Sequence, residues 1–428
     1  MEIVVEGNKK VNGQVSVPGD KSISHRAIIF GAIAQGETRI NHFLHSQDCL
    51  NTLKCMSALG ARIEKIDHSV IEIKGVGLNG LKKPVHILDV GNSGTTIRLL
   101  TGLLSGQRFN TVITGDDSLR KRPMQRIIEP LSLMGAEIRG ENNNQLAPLS
   151  IEGSKLNSIK YTLPVASAQV KSAVLIAGLF AEGETIIIEP QISRDHTERM
   201  LNFMQADIQV IYPKIKITRK KVLKSAEIFI PGDISSAAYF LAAASARKGS
   251  GVIVKGVGIN PTRTGIIEIL KKMGAVIEIS NVQMKSNEPR ADIEIEGAEL
   301  TGIEINKEII GKLIDELPLI AVLATQAHGK TVVSDAKELR VKETDRITAI
   351  VTELKKMGAS IIEKEDGFEI NGSTRLKSAV CKSYNDHRMA MSLAVAGLYA
   401  DGKTVIKDAE CIDISYPEFF NTLKELIQ

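Results

Sequence analysis

"VPGDKSISHRAIIFGAI" (residues 17–33) and "IPGDISSAAYFLAAASA" (residues 230–246) are two copies of one pattern. Each runs from a hydrophobic residue through Pro-Gly-Asp into a helix-like run of small and apolar residues. The first packs Lys21, His25 and Arg26 into its opening; the second carries no charge after Asp233. The apolar run recurs six times, each copy ending in a Gly-containing turn and entering a β-rich strand: "AIIFGAIAQGETRI", "IRLLTGLLSGQRFNTVI", "SAVLIAGLFAEGETIII", "AAYFLAAASARKGSGVIV", "LPLIAVLATQAHGKTVV" and "MAMSLAVAGLYADGKTVI". The turn glycines, Gly36, Gly106, Gly183, Gly249, Gly329 and Gly402, fall about 66 to 80 residues apart, which marks a repeat architecture.

A second signature alternates with the first. "LGARIE" (59–64), "MGAEIR" (134–139), "MGAVIE" (273–278) and "MGASII" (357–362) each run from a helix end into a strand, and "MQADIQ" (204–209) is a degenerate copy. Glycine there suits the left-handed position that ends a helix. Each unit thus holds one helix that is apolar nearly all round, hence buried, and a second that is amphipathic, as in "TGIIEILKKMGA". The expected fold class is α/β (α+β): two similar domains, each of three βαβαββ units around buried parallel helices. One domain comprises residues 1–18 plus 232–428, completed by the N-terminal strand; the other is an inserted domain, 19–231. The chain is expected to cross near 18–20 and 231–233, with the active-site cleft between the domains.

Composition sets outer limits. The 428 residues are 43% hydrophobic and 24% charged, enough for a large core in two to three domains. A net charge of +4, with dispersed Lys and Arg, no tryptophan and few aromatics, argues against a nucleic-acid surface. The short basic run "KITRKKVLK" (216–224) reads as a solvated strand edge or turn. Cys49, Cys55, Cys381 and Cys411 form no C-x-x-C pair, so zinc and disulfides are not indicated. No run approaches a membrane span and "MEIVVEGNKK" reads as a strand, so a cytoplasmic protein is expected.

Two literal motif matches fail on context. "GVGLNG" (75–80) is followed by Pro84 where a dinucleotide fold needs a helix, and its twin "KGVGINP" (255–261) marks it as a repeat turn. "GLYADGKT" (397–404) runs from helix to strand, the reverse of a P-loop.

The segments preceding the six apolar helices are polar: "DKSISHR", "GNSGTT", "ASAQVKS", "GDISS", "IDELP" and "NDHR". Helix N-termini offer free N–H groups and favour anions, so parallel helices would gather three anion-binding ends per domain. Lys21 and Arg26 oppose that dipole unless an anion binds alongside. "SLRKRPMQR" offers Arg120, Lys121, Arg122 and Arg126, of which Arg122, before Pro123, is placed inside. "LRVKETDRI" carries Lys342, Glu343 and Arg346; Lys342 and Arg346 are four apart and can share a helix face. "LIDELPLIA" brings Asp315 and Glu316, for which helix capping is the plain alternative, and "YNDHRMAM" brings Asp386, His387 and Arg388. The cleft should hold more cations than carboxylates, which suits small polyanions.

"PGDKSISHRA", "GNSGTTIRLLTG", "RPM", "SAQVKSA", "SRDHTERM", "LRVKETDRI" and "YNDHRMAMSLAVAGL", in this order across the chain, resemble the 3-phosphoshikimate 1-carboxyvinyltransferase (5-enolpyruvylshikimate-3-phosphate synthase) family. The resemblance implies an enzyme of two three-unit domains, an inside-out α/β barrel. It would move the enolpyruvyl group of phosphoenolpyruvate to the 5-hydroxyl of shikimate 3-phosphate and release phosphate, with no metal and no organic cofactor. It implies that Lys21, Ser22, Arg26, Ser167, Gln169, Asp315 and Lys342 bind shikimate 3-phosphate, with Ser193 and Arg194 reaching its phosphate. It further implies that Lys21, Gly94, Arg122, Gln169, Arg346 and Arg388 hold phosphoenolpyruvate, with Asn92 and Asp386 supporting them. Asp315 is the candidate base for the hydroxyl, and Glu343 the candidate acid for C3, with Lys21 competing for part of the proton shuttling. Neutralising both polyanions is expected to drive domain closure, in a monomer without nucleic-acid or membrane partners.

Two departures stand out: Ile414, in "CIDISYPEF", replaces a lysine that some members carry, and Ser93 stands where many have alanine. The nearest rival, UDP-N-acetylglucosamine 1-carboxyvinyltransferase, has a Gly-Ala-Lys-Asn start and usually a cysteine before the Arg-Pro pair; neither is present here. A non-catalytic anion-binding protein on the same scaffold would not need Asp315 and Glu343.

Overall fold

Helices apolar on every side have no face to give to water, and the six runs are buried accordingly. They form the helices Lys21–Ile33, Gly94–Ser105, Ala168–Gly178, Ile234–Ser245, Leu317–Gln326 and His387–Tyr399, here called the first to sixth inner helices. In the fourth, every residue from Ile234 to Ser245 is buried. The computed structural model describes residues 1–220 and 222–427. It divides into two units: Gly19–Ile230 with the short segment Met284–Glu288, and Met1–Pro18 with Pro231–Gln283 and Pro289–Gln428.

In the Gly19–Ile230 unit three four-stranded sheets repeat one plan. A short edge strand lies parallel to a central strand, which is followed by two antiparallel ones. Leu88–Asp89, Asn110–Thr114, Leu146–Glu152 and Glu137–Gly140 make one sheet; Lys160–Thr162, Glu184–Ile188, Lys214–Thr218 and Asp207–Ile211 make another. In the third, the parallel edge strand is Glu227–Phe229, from the far end of the unit, against Gln35–Asn41. The ring of repeats thereby closes on itself. The basic run departs in part from its reading as a solvated strand edge or turn: Arg219 and Lys220 are exposed and lie beyond the strand, but the run begins inside a sheet. Lys216 to Thr218 belong to an internal strand, because Ile215 and Ile217 alternate into the core and pull it between two neighbours. Lys221 of that run lies outside the described residues.

The other unit follows the same plan in two four-stranded sheets and shortens it to three strands in the third, and the start of the chain closes it. Asn12–Ser16 lies parallel to Gly251–Gly258, and Glu2–Glu6 pairs antiparallel with Lys403–Lys407. Its remaining sheet orders Glu304–Ile305, Gly329–Val333, Gly367–Gly372 and Ser360–Lys364. The outer helices are one-sided: Gly265–Lys272 buries Ile266, Ile267, Ile269 and Leu270 and ends on Lys271 and Lys272. The glycines after the outer helices, Gly60, Gly135, Gly274 and Gly358, have φ of 97°, 92°, 100° and 87°. The degenerate copy puts Gln205 in the same left-handed turn at φ 62°.

Within each unit the three inner helices pack on one another. At the second and third the approach is backbone to backbone: a Cβ on Gly102 would lie 2.3 Å from the Ala173 carbonyl oxygen and 2.8 Å from its Cα. Rigid backbone cannot move aside as a flexible side chain can. Gly102→Ala is therefore expected to cost about 1–3 kcal/mol, read as a lowered urea midpoint. An unchanged midpoint would show that the helices can separate.

Candidate functional site

The beginnings of the inner helices set the chemistry, and most are capped by their own side chains. Asp20 accepts from the Ile23 N–H, Ser93 from Thr96, Ser167 from Val170, Asp233 from Ser235 and Asp386 from Arg388. These bonds satisfy donors that the helix geometry leaves open. The fifth helix differs: residues Ile314–Glu316 form a 3-10 turn ahead of it, and neither acid caps it. Asp315 and Glu316 are therefore available for other partners.

In the Gly19–Ile230 unit, side chains from different inner helices bond to one another, which places their N-terminal ends together. His25 Nδ1 lies 2.7 Å from Thr52 Oγ1, which is 2.7 Å from Thr96 Oγ1, which in turn is 2.6 Å from Ser93 Oγ. Burial, with Lys21 and Arg26 nearby, holds the His25 pKa well below its usual value, so His25 is neutral. Of the three basic residues that distinguish the first Pro-Gly-Asp copy, one is thus a core group.

Arg26 is buried as well. Its Nε donates to Thr197 Oγ1 (2.7 Å), Nη2 to Ser172 Oγ (2.8 Å) and Nη1 to the Ser22 carbonyl (2.8 Å). Burial pulls its pKa down to about 10, opposed by Glu198. Lys21 keeps some exposure and sits 2.6 Å from Asp48, a carboxylate that no sequence motif singles out.

Around the second inner helix, Arg122 turns inward while Arg120 and Lys121 stay exposed. Arg122 donates to Asn92 Oδ1, and Asn92 donates to Asp116 at 2.8 Å. A Cβ on Gly94 would lie 2.7 Å from Arg98 Nη1 and 3.2 Å from Arg122 Nη1, so glycine lets two guanidinium groups approach the helix start. Arg98 donates to Gln169 Oε1 at 2.8 Å, and Gln169 Nε2 donates to Thr95 at 3.1 Å. The Gln169 amide is fixed by these two bonds. Ser193 is buried, and its backbone N–H donates to Glu189 at 2.8 Å, as does its hydroxyl; Arg194 beside it is half-buried.

The other unit gathers the acids. Arg346 is 1% exposed and serves three carboxylates: Asp386 at 2.7 Å, Glu343 at 2.5 Å and Asp315 at 3.3 Å. Burial works against its charge, but Asp386 and Glu343 outweigh it and hold the pKa above the usual value. Arg388 lies 3.6 Å from Asp315 and 3.8 Å from Glu316. Its pKa is raised too: burial is the largest influence and works against the charge, but Asp315, Tyr239, Glu316 and Asp233 together outweigh it. Lys342 Nζ is 3.8 Å from Asp315. Asp315 therefore faces three cations from two segments, Lys342 and Arg346 from one and Arg388 from the other.

Two readings of the sequence are corrected here. Lys342 does not share a helix face with Arg346: Asp345 caps the helix Arg346–Lys356, so Lys342 lies ahead of it, and the two meet at Asp315 instead. The second Pro-Gly-Asp copy, uncharged in sequence, receives a cation from a distant loop. Buried Arg263 donates to Ser235 Oγ at 2.7 Å and lies 3.6 Å from Asp233. Ser235 Oγ in turn donates to Glu316. In this unit Lys342, Arg346 and Arg388 meet Asp315, Glu316, Glu343 and Asp386, so an excess of cations does not describe it. Ile414 ends a 3-10 turn, Ala409–Ile414, and packs on the core.

The sequence reading missed Asp48, Arg98, Lys171, Glu189, Glu198 and Arg263. Arg98 and Lys171 had a signal: each is a single charge inside an otherwise apolar helix, and such residues are rarely buried unless paired. Arg263 had none, since its partners Asp233 and Ser235 stand about 30 residues away.

Comparison with known proteins places this arrangement. Residues 5–423 match the family model of EPSP synthase (3-phosphoshikimate 1-carboxyvinyltransferase). The chain is 54% identical to a 3-phosphoshikimate 1-carboxyvinyltransferase of Desulforamulus reducens, covering 100% of both chains. It is 50% identical to one of Petrotoga mobilis, covering 100% of this chain and 99% of that one. An EPSP synthase structure from Acinetobacter baumannii superposes with a TM-score of 0.89 at 44% identity, over 100% of this chain and 99% of that one.

Proposed function

The chain belongs to the EPSP synthase (3-phosphoshikimate 1-carboxyvinyltransferase) family, and from that premise we propose which residues carry each step. The reaction transfers the enolpyruvyl group of phosphoenolpyruvate to the 5-hydroxyl of shikimate 3-phosphate and releases phosphate, a step of the shikimate pathway to aromatic amino acids. The observation that carries the assignment is Asp315. It is a carboxylate faced by Arg346, Arg388 and Lys342 at 3.3, 3.6 and 3.8 Å, and it is not used as a helix cap.

In our reading Asp315 takes the proton of the 5-hydroxyl as that oxygen bonds to C2 of phosphoenolpyruvate. C3 gains a proton, giving a tetrahedral intermediate; loss of that proton and of phosphate then restores the double bond in the product. Glu343 acts as the acid at C3. It lies 2.5 Å from Arg346. Lys21, with its ammonium beside Asp48, is the competing donor.

Lys21, Ser22, Arg26, Ser167, Gln169, Ser193, Arg194, Asp315 and Lys342 serve shikimate 3-phosphate. Gly94, Arg122, Gln169, Lys21, Arg346 and Arg388 serve phosphoenolpyruvate, with Asn92 and Asp386 holding the arginines. Like charges about 6 Å apart repel by roughly 2–3 kcal/mol at an effective dielectric of 20, which is the physical reason for so many guanidinium groups. Arg26, with three bonds already made inside the protein, contributes chiefly by fixing the start of the first helix. The enzyme acts as a monomer in the cytoplasm, a setting in keeping with four buried, unpaired cysteines. Among the described residues no helix is long and apolar enough to cross a membrane.

Phosphate release from purified protein given shikimate 3-phosphate and phosphoenolpyruvate tests the function. UDP-N-acetylglucosamine in place of shikimate 3-phosphate should give none. Release with the nucleotide sugar alone would overturn the reading in favour of the rival transferase.

A further inference from the structure

Lys171 lies on the third inner helix, two residues beyond Gln169, and is 0% exposed. Its ammonium is 2.9 Å from Glu189 and 2.7 Å from Glu198, both buried. Burial works against its charge, yet Glu198 and Glu189 hold its pKa above the usual value. Glu189 follows the strand Glu184–Ile188, and Glu198 stands in the first turn of the helix His196–Phe203. The intervening loop, "PQISRDHT", carries Ser193 and Arg194.

One ammonium therefore ties down both ends of that loop. It reaches the middle too, since Lys171 Nζ lies 3.4 Å from the Ser193 carbonyl and Glu189 Oε1 accepts both the N–H and the hydroxyl of Ser193. Thr197, next to Glu198, is held from the other side by Arg26 and Ser172.

Stability alone does not account for three buried charges. Apolar residues of similar volume are often as stable or more so, because each buried ion loses its hydration. What the ions supply, and an apolar cluster cannot, is a directed grip on backbone and hydroxyl groups of the loop. We propose that Lys171, Glu189 and Glu198 form a buried ion triad whose task is to position Ser193 and Arg194 for the phosphate of shikimate 3-phosphate. This rests on the assignment of those two residues made above.

The triad touches no reacting atom, so its members are positioning residues with a defined kinetic signature. Lys171→Met would strand two buried carboxylates and blur folding with function. Glu189→Gln keeps the shape and one acceptor oxygen for Ser193, but removes the charge and turns the oxygen facing Lys171 into an amide donor, leaving Lys171 paired to Glu198. Hydrogen bonds to charged groups are stronger than neutral ones by an amount worth about a tenfold change in an equilibrium. Glu189→Gln should raise the KM for shikimate 3-phosphate about tenfold. The KM for phosphoenolpyruvate should stay within about twofold and kcat at saturation within about threefold, with the thermal midpoint near that of the parent. Adding Ser193→Gly to Glu189→Gln should cost less than the two separate effects multiplied, because both act through one contact.

An unchanged KM for shikimate 3-phosphate in Glu189→Gln overturns the triad's role, and so does an equal rise in both KM values, which marks a merely structural effect. Arg194→Ala separates the two levels of the argument. If it leaves that KM unchanged, the phosphate assignment falls and the triad's role with it. If it raises that KM while Glu189→Gln does not, the triad alone is refuted.

Discussion

Asp315→Asn should lower kcat by about 10²–10⁴ while both substrates still bind. Asparagine has the shape of aspartate and no capacity to take the hydroxyl proton at neutral pH. The surroundings sharpen the expectation. Arg346, Arg388 and Lys342 lie 3.3, 3.6 and 3.8 Å from the Asp315 carboxylate, so removing its charge leaves cations less neutralised. Anionic phosphoenolpyruvate should bind as well as before or better, which separates this variant from a general loss of structure. Phosphate release at saturating substrates, with the KM for phosphoenolpyruvate, measures both arms. Full turnover in Asp315→Asn would remove it from the base role and leave Glu343 or Lys21 to serve.

Arg346→Met should have the largest effect on folding. The guanidinium is 1% exposed and is shared by Asp386, Glu343 and Asp315; Asp386 has no exposure at all. Methionine fills much of the volume but leaves these acids without that cation in a medium that solvates them poorly. Breaking a buried pair from one side costs about 3–5 kcal/mol. The loss should appear in urea or thermal unfolding, and turnover should fall with it. Asp386→Asn in the same chain should recover part of the stability, because it removes the most deeply buried of the stranded charges. An unfolding midpoint equal to the parent's would mean that water reaches these carboxylates and that the site is looser than its burial indicates.

Lys171 and Arg346 show how buried charge divides between two tasks in this fold. Arg346 gathers three acids, of which Asp315 and Asp386 stand just ahead of inner helices, whereas Lys171, in the first turn of its own helix, gathers two acids that flank a loop. Both are costly to bury, and both are positioned by short segments far apart in the chain. The contrast also explains why reading a cation from a motif is not enough to assign it to a ligand. Arg26 sits in "DKSISHR" beside Lys21, yet its bonds go to Ser22, Ser172 and Thr197, while Lys21 keeps a face open beside Asp48.

The repeat was legible in the chain itself, because a helix without a polar face must be buried and a left-handed turn selects glycine wherever it recurs. Six such helices, with Gly60, Gly135, Gly274 and Gly358 ending the outer ones, were enough to announce the α/β repeat, and the ordered motifs were enough to name the family. The same motifs marked Lys21, Arg122, Asp315, Glu343, Arg346 and Arg388 as candidates. Which charges are paired within the protein was decided only by tertiary structure. The pairs Lys171–Glu198, Arg263–Ser235 and Lys21–Asp48 join residues about 27 or 28 positions apart, and Arg26–Ser172 joins residues 146 apart. No local pattern encodes such distances. A charge's role depends on its burial and its partners, and both are set when separate repeats are packed side by side.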